Sequence, residues 1–262
     1  MLPQNTLHFD RRHDCGPFDI VGDVHGCAGE LEILLGKLGY SVEHDGPEGH
    51  RHYEISHPQG RRVVFLGDLV DRGPRSPDVL RLAMSMVEAE RALCVSGNHD
   101  DKLRRWLLGR DVKVSHGLGD TISQFQTQPD GFRDTVHDFL DQLAHHHVLD
   151  DGGLIVAHAG LVEEMHYQSG GKARGFALYG ATTGEQDEYG LPVRLDWALD
   201  YAGEAHVVYG HMAVTEAVWV NRTICIDTGC VFGGQLTALR WPERKLVTVG
   251  ALETYYASLR PR

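Results

Sequence analysis

Arg62-Val63-Val64-Phe65-Leu66-Gly67-Asp68-Leu69-Val70-Asp71-Arg72-Gly73 is the stretch on which the fold turns. After Arg62, four apolar residues run into a glycine, and two acids and an arginine follow within the next five residues. An apolar run of this length bounded by a turn signal reads as a strand buried on both faces. The glycine permits a sharp turn, and the charged residues then stand at the strand's carboxyl end.

Working outward, the same grammar recurs. Phe18-Asp19-Ile20-Val21 leads into Gly22-Asp23-Val24-His25-Gly26, and Ala92-Leu93-Cys94-Val95 leads to Gly97-Asn98-His99-Asp100. Leu154-Ile155-Val156-Ala157 ends at His158-Ala159-Gly160, and Val207-Val208-Tyr209-Gly210 ends at His211. Helical patterns lie between these runs. Leu31, Leu34, Leu35 and Leu38 keep the spacing of one apolar helix face. Ser76-Pro77 is expected to cap and start a second helix, with Val79, Ala83, Met86 and Val87 as its buried stripe. Strand–turn–helix alternation indicates an α/β fold, with a site at the carboxyl ends of the strands. Residues 111–147 read as largely helical, 158–211 as a polar, Gly-rich stretch with few strand signals, and the last fifty residues as β. No repeat or linker divides the chain, so 1–262 is expected to be a single domain.

Composition narrows the function. The chain of 262 residues is 42% hydrophobic, ample to bury a core, and its formal net charge is −12. Such a charge disfavours an extended nucleic-acid duplex or a membrane surface as partner. Five scattered cysteines show no metal or redox spacing and read as reduced thiols. No apolar run reaches the length of a membrane span, and the first sixteen residues lack a signal peptide's apolar stretch, so a cytoplasmic protein is expected.

The strand ends carry the chemistry. Hard carboxylate oxygens with imidazoles suit a pair of divalent ions, one carboxylate bridging them. Asp23 and His25 alternate on one segment and can face one ion. Asp68 is the natural bridge, and Asn98, His158 and His211 can close the shell of the second. His145-His146-His147 is read as solvated helix surface, because adjacent helical side chains diverge. His206 is read as a structural residue on a strand. Asp227 and Cys230 are read as packing residues. Arg194, Tyr179 and Trp197 fall between two of the metal-type ligands and are candidates for clamping a nucleotide by charge and stacking.

The Gly22–Gly26, Gly67–Gly73 and Gly97–Asp100 blocks resemble the three signature blocks of calcineurin-like metallophosphoesterases, the phosphoprotein-phosphatase branch in particular. The resemblance implies a β-sandwich flanked by helices. It implies two divalent cations, Mn²⁺ foremost with Fe, Ni, Co or Zn as alternatives. Asp23, His25 and Asp68 would hold the first, and Asp68, Asn98, His158 and His211 the second. It also assigns His99 and Asp71 as a catalytic pair and Arg72 as the phosphate-binding arginine. Gly210-His211-Met212-Ala213 lacks the second histidine of some relatives, so the first ion is expected to keep three protein ligands.

A narrower resemblance spans nearly the whole chain. Tyr179-Gly180-Ala181-Thr182-Thr183-Gly184-Glu185, Gly190-Leu191-Pro192-Val193-Arg194 and Ile226-Asp227-Thr228-Gly229-Cys230-Val231-Phe232-Gly233 are similar to two bacterial groups. These are the asymmetric bis(5'-nucleosyl)-tetraphosphatases and the phosphatase module of polynucleotide kinase-phosphatases. Ala181 stands where they carry Asp, and Asp100 where they carry Glu or Cys. The implied function is hydrolysis of a phosphate ester or anhydride by a hydroxide held between two metals, with a small phosphorylated nucleotide as substrate. The alternatives are a broad serine/threonine-type protein phosphatase and an RNA-end phosphatase or 2',3'-cyclic phosphodiesterase. His116-Gly117 resembles a loop of the same relatives and is a candidate substrate contact. Asp71 is expected to hold the His99 ring and raise its pKa.

Overall fold

The computed structural model describes residues 9–258. In chain order its elements are β1 (Phe18–Val21), α1 (Ala28–Leu38), β2 (Ser41–Asp45), β3 (His52–Ser56), β4 (Arg62–Phe65), α2 (Ser76–Glu88) and β5 (Ala92–Cys94). Then come α3 (Asn98–Leu107), α4 (Leu118–Phe125), α5 (Phe132–Asp141), β6 (His146–Leu149), β7 (Leu154–Ala157) and α6 (Gly171–Tyr179). The chain continues through β8 (Thr182–Gln186), β9 (Pro192–Arg194), β10 (His206–Tyr209), β11 (Trp219–Val220), β12 (Thr223–Cys225), β13 (Gln235–Trp241) and β14 (Lys245–Gly250).

Two five-stranded sheets form, in the orders β14-β13-β1-β4-β5 and β11-β12-β10-β7-β6. β1, β4 and β5 are parallel, as are β7, β10 and β12. Their carboxyl ends therefore share a direction within each sheet. Between the sheets lies one apolar layer, with Phe18, Ile20, Val64 and Leu239 meeting Leu154, Val156, Val208 and Ile224. Helices α1 and α2 bury Leu31, Leu34, Leu35, Val79 and Leu80 on the outer face of the first sheet. Ala177 of α6 packs on Ile155 and Val207 of the second. This is the expected β-sandwich flanked by helices.

Two local expectations differ. Ser76 is the first residue of α2 and Arg75 precedes it, so Ser76 makes no side-chain cap. Its buried hydroxyl instead accepts from the Asp71 N–H at 3.3 Å, which supports the site loop. The His145-His146-His147 run enters strand β6 rather than a helix. His146 and His147 pair with Ala157 and Val156 and are buried, because pairing with β7 places them inside the fold. Residues 182–186 and 192–194 form an exposed hairpin, β8–β9, where few strand signals are legible.

Candidate metal centre and active site

Asp23 follows β1, Asp68 follows β4, Asn98 opens α3 after β5, His158 follows β7 and His211 follows β10. Five strand ends from two sheets thus converge. The turns that achieve this are tight. A Cβ on Gly67 would meet the Gly97 nitrogen at 2.3 Å, and one on Gly97 would meet the Asp68 nitrogen at 2.2 Å, so the two loops touch only because both are glycine. His25, Asp68, Asp71, Arg72 and His211 all take positive φ, between 44° and 74°. Each left-handed non-glycine residue costs on the order of 1–3 kcal/mol, and such strain gathers at functional sites.

Hydrogen bonding sets which ring nitrogen faces inward. His158 Nδ1 donates to the Leu66 carbonyl at 3.0 Å, so its Nε2 carries a lone pair. That nitrogen lies 3.0 Å from Asn98 Oδ1, 3.0 Å from His211 Nδ1 and 3.4 Å from Asp68 Oδ2. His25 Nδ1 donates to the Val70 carbonyl at 2.8 Å, leaving its Nε2 facing Asp68 Oδ2 at 3.5 Å. Asp68 belongs to both clusters, one with His25 and His99, the other with His158 and His211. Asp23 sits on the His211 side, where its Oδ2 accepts the His211 N–H at 3.0 Å. Asp23 Oδ1 and His211 Nε2 are buried without a hydrogen-bond partner. Such a gathering of lone pairs and orphaned acceptors suits divalent cations.

The electrostatics agree with that reading. Burial drives Asp23 well above the usual carboxylate range, and neighbouring Asp227 and Asp68 push it the same way. Burial likewise raises Asp68 to about 7 and Asp100 to about 8. Buried carboxylates without a nearby cation resist ionisation.

Beside this cluster His99 Nδ1 donates to Asp71 Oδ2 at 2.6 Å, and Thr121 Oγ1 donates to Asp71 Oδ1 at 2.7 Å. Arg72 donates through Nη1 to His25 Nε2 at 2.8 Å and through Nη2 to His99 Nε2 at 2.9 Å. Its guanidinium also stacks on Phe232 and Tyr256, at 5.2 and 5.9 Å from the ring centroids. The His99 pKa corrects an expectation. Burial and the Arg72 charge hold the imidazole well below its usual range, and Asp71 does not reverse this, being itself raised to about 7 by burial.

The cluster opens into a cleft of about 470 Å³. Tyr179, Leu191, Pro192 and Arg194 line one part, and His116, Phe232 and Tyr256 another. Arg194 Nη1 donates to the Tyr179 carbonyl. Trp197 stays out of the cleft: it packs edge-on against Phe176 and Tyr201 and tilted against Tyr209, which ties its segment to the fold instead of offering the ring to a nucleotide. Ala181 lines a separate cavity with Trp197. Sequence reasoning did not foresee Asp100 as a latch. Its Oδ1 accepts the Leu69 N–H at 3.0 Å and its Oδ2 the Gly97 N–H at 2.9 Å, tying two site loops together. An acid three residues into a helix, after a glycine, is a readable capping signal.

The calcineurin-like phosphoesterase model matches residues 16–215 of this chain. The chain belongs to the calcineurin-like phosphoesterase family. It is 45% identical over 244 residues to the asymmetrical bis(5'-nucleosyl)-tetraphosphatase PrpE of Anoxybacillus flavithermus, covering 92% of this chain and 96% of that one. To the protein of the same name from Halalkalibacterium halodurans it is 42% identical, covering 88% and 93%. A crystal structure provisionally described as a diadenosine tetraphosphatase superposes with a TM-score of 0.65 at 28% identity, covering 92% and 96%. A Saccharomyces cerevisiae serine/threonine phosphatase shares the fold at 15% identity, with a TM-score of 0.57 and coverage of 92% and 82%. Membership makes this calcineurin-like phosphoesterase a hydrolase of phosphate esters whose family works with divalent metal ions. No helix among the described residues is long and apolar enough to cross a membrane.

Proposed function

We propose that this phosphoesterase cleaves dinucleoside tetraphosphates asymmetrically, releasing a nucleoside triphosphate and a nucleoside monophosphate, in the cytoplasm and as one domain over 1–262. The observation that carries the reading is 45% identity to a tetraphosphatase over 92% of the chain. Asp23, His25, Asp68, Asn98, His158 and His211 would hold two divalent cations, Mn²⁺ foremost, with Asp68 common to both. When bound, such cations supply positive charge to the phosphoryl oxygens and lower the pKa of water, so that a nucleophile exists at neutral pH.

The chain's own groups do the rest. Arg72 leaves His25 and His99 for two oxygens of the attacked phosphate, a bidentate task that suits a planar guanidinium. His99, oriented by Asp71, takes up a proton from solvent at Nε2 once Arg72 has left that nitrogen, and passes it to the departing oxygen. Tyr179 and Arg194, which line the cleft, would flank the nucleotide.

The test is product analysis. Protein with excess Mn²⁺ is given diadenosine tetraphosphate, a phosphopeptide and a 2',3'-cyclic nucleotide at equal concentration. The expected result is ATP and AMP from the first at the highest kcat/KM. ADP as the only product, or brisk turnover of either other substrate without tetraphosphate cleavage, overturns the reading.

A further inference from the structure

The segment Ser115-His116-Gly117 enters the cleft beside Arg72, and the catalytic assignment makes no use of it. It is fastened from three directions. Lys102 of α3 donates through Nζ to the Ser115 carbonyl at 2.8 Å and to Ser115 Oγ at 3.1 Å. A Cβ on Gly117 would meet the Arg72 nitrogen at 2.4 Å and Arg72 Cγ at 2.6 Å, so the loop rests on the backbone and stem of that arginine. Gly117 directly precedes α4, whose Thr121 grips Asp71. His116 itself is exposed to the cleft and takes φ of +59°. Surface loops rarely hold a non-glycine residue there without compensation, and this one is held at both neighbours.

The surroundings of the ring are cationic. After burial, the charges of Lys102, Arg72 and Lys113 are the chief causes that keep His116 uncharged, and Asp71 opposes them. Lys102 Nζ stands on Ser115 and Arg72 lines the same cleft as His116, so in a chain of net charge −12 two cations stand beside this loop, a setting that suits an anion. The attacked phosphoryl group does not fill it. That group is met by the Arg72 head, which faces His25 and His99, whereas the loop that carries His116 rests through Gly117 on the stem and backbone of Arg72.

We propose that His116, backed by Lys102 and Lys113, forms an anion subsite for a second phosphate of the substrate's chain, beyond the one attacked. The cleft thereby selects polyphosphates over phosphate monoesters. This rests on the tetraphosphatase reading and names the part of the cleft that would enforce it. An imidazole N–H donating to a non-bridging phosphate oxygen supplies the contact, and the lysines supply a field that a single phosphate at the reaction centre does not exploit.

The experiment measures kcat/KM for diadenosine tetraphosphate relative to p-nitrophenyl phosphate at fixed free Mn²⁺. His116→Asn is suitable because asparagine tolerates positive φ. The ratio should fall about tenfold, the size of one hydrogen bond to a charged group. Lys113→Gln alters only an exposed side chain, and should lower the ratio about threefold at low salt and less at high salt. A ratio unchanged in both variants, whether activities fall together or stay, overturns the subsite. Should the parent protein leave the tetraphosphate intact, the earlier reading fails and this one is read separately. Inhibition of p-nitrophenyl phosphate hydrolysis by tripolyphosphate should then exceed that by orthophosphate, and His116→Asn should erode the advantage. An advantage undiminished by that substitution overturns the proposal.

Discussion

The Arg72 guanidinium donates to His25 Nε2 at 2.8 Å, so one nitrogen lone pair is claimed by an arginine where a family cation would claim it. Two positive groups cannot share that lone pair. Under the proposed function Arg72 would therefore act on the centre twice, as an occupant of the His25 nitrogen and as a ligand for phosphate. Arg72→Ala should cut turnover of p-nitrophenyl phosphate by roughly 10²–10³, the cost of losing one preorganised charge partner. Metal affinity, measured by titration, should hold steady or tighten. Weaker metal binding in this variant would show that Arg72 supports the cluster instead of competing with a cation for it.

Asp68 is the test of a shared centre. Its Oδ2 lies 3.5 Å from His25 Nε2 and 3.4 Å from His158 Nε2, and its Oδ1 accepts the His99 N–H at 2.9 Å. Asp68→Ala should therefore lower the occupancy of both ions, whereas Asp23→Ala should chiefly affect one. Elemental analysis with two ions retained after Asp68→Ala rejects the binuclear assignment. Asp68→Asn keeps an acceptor for His99 and removes a buried charge that the fold disfavours. With chelator present at pH 8, its Tm should exceed the parent's by several degrees, since 1 kcal/mol is worth about 2–4 °C in a domain of this size.

Much of this centre was legible because its grammar is local. Phe18–Val21, Arg62–Phe65, Ala92–Cys94 and Leu154–Ala157 are strands whose apolar runs stop at glycine or a histidine, and two parallel sets of strands put every such end on one rim. The parts that escaped depend on partners distant in sequence. His147 looks polar, yet its burial is decided by Val156 across a strand pair. Ser76 reads as a cap until Asp71 claims its hydroxyl. Thr182–Gln186 carries no alternation because every residue of that strand is exposed. The His99–Asp71 pairing suggests a raised imidazole pKa, but burial is a property of the whole fold and wins.

His147 makes the buried-histidine argument measurable. Burial lowers it to about 4 from an unfolded value near 6.5, with Arg11 and His146 adding to the effect. The folded state thus refuses a proton that the unfolded chain accepts between those values. Its contribution is complete above about pH 6.5 and is lost as pH falls toward 4, on the order of 3 kcal/mol in all. Denaturant unfolding of metal-free protein should show the parent losing stability relative to His147→Gln across that interval. A difference independent of pH would mean that His147 is protonated, or solvated, in the fold.

The last prediction concerns His99, whose Nδ1 is fixed on Asp71 and whose Nε2 accepts from Arg72 at 2.9 Å. In this arrangement the imidazole is neutral, kept so by burial and by the arginine's charge. When Arg72 turns to a phosphate, that nitrogen is released and a dianion is brought near, and both changes favour its protonation. An imidazolium placed against the departing oxygen contributes roughly 10²–10⁴ in rate where the leaving group needs the proton. An alkoxide needs it badly, and p-nitrophenolate or a nucleotide phosphate departs with little help. His99→Asn should accordingly retain its metals, lose most activity on alkyl phosphates and lose far less on p-nitrophenyl phosphate. If His99 only packs the loop beside Asp68, metal content should fall and every substrate should suffer alike. Equal losses across a series of leaving groups with metals intact would instead assign His99 to charge stabilisation or orientation, and would remove it from the role of acid.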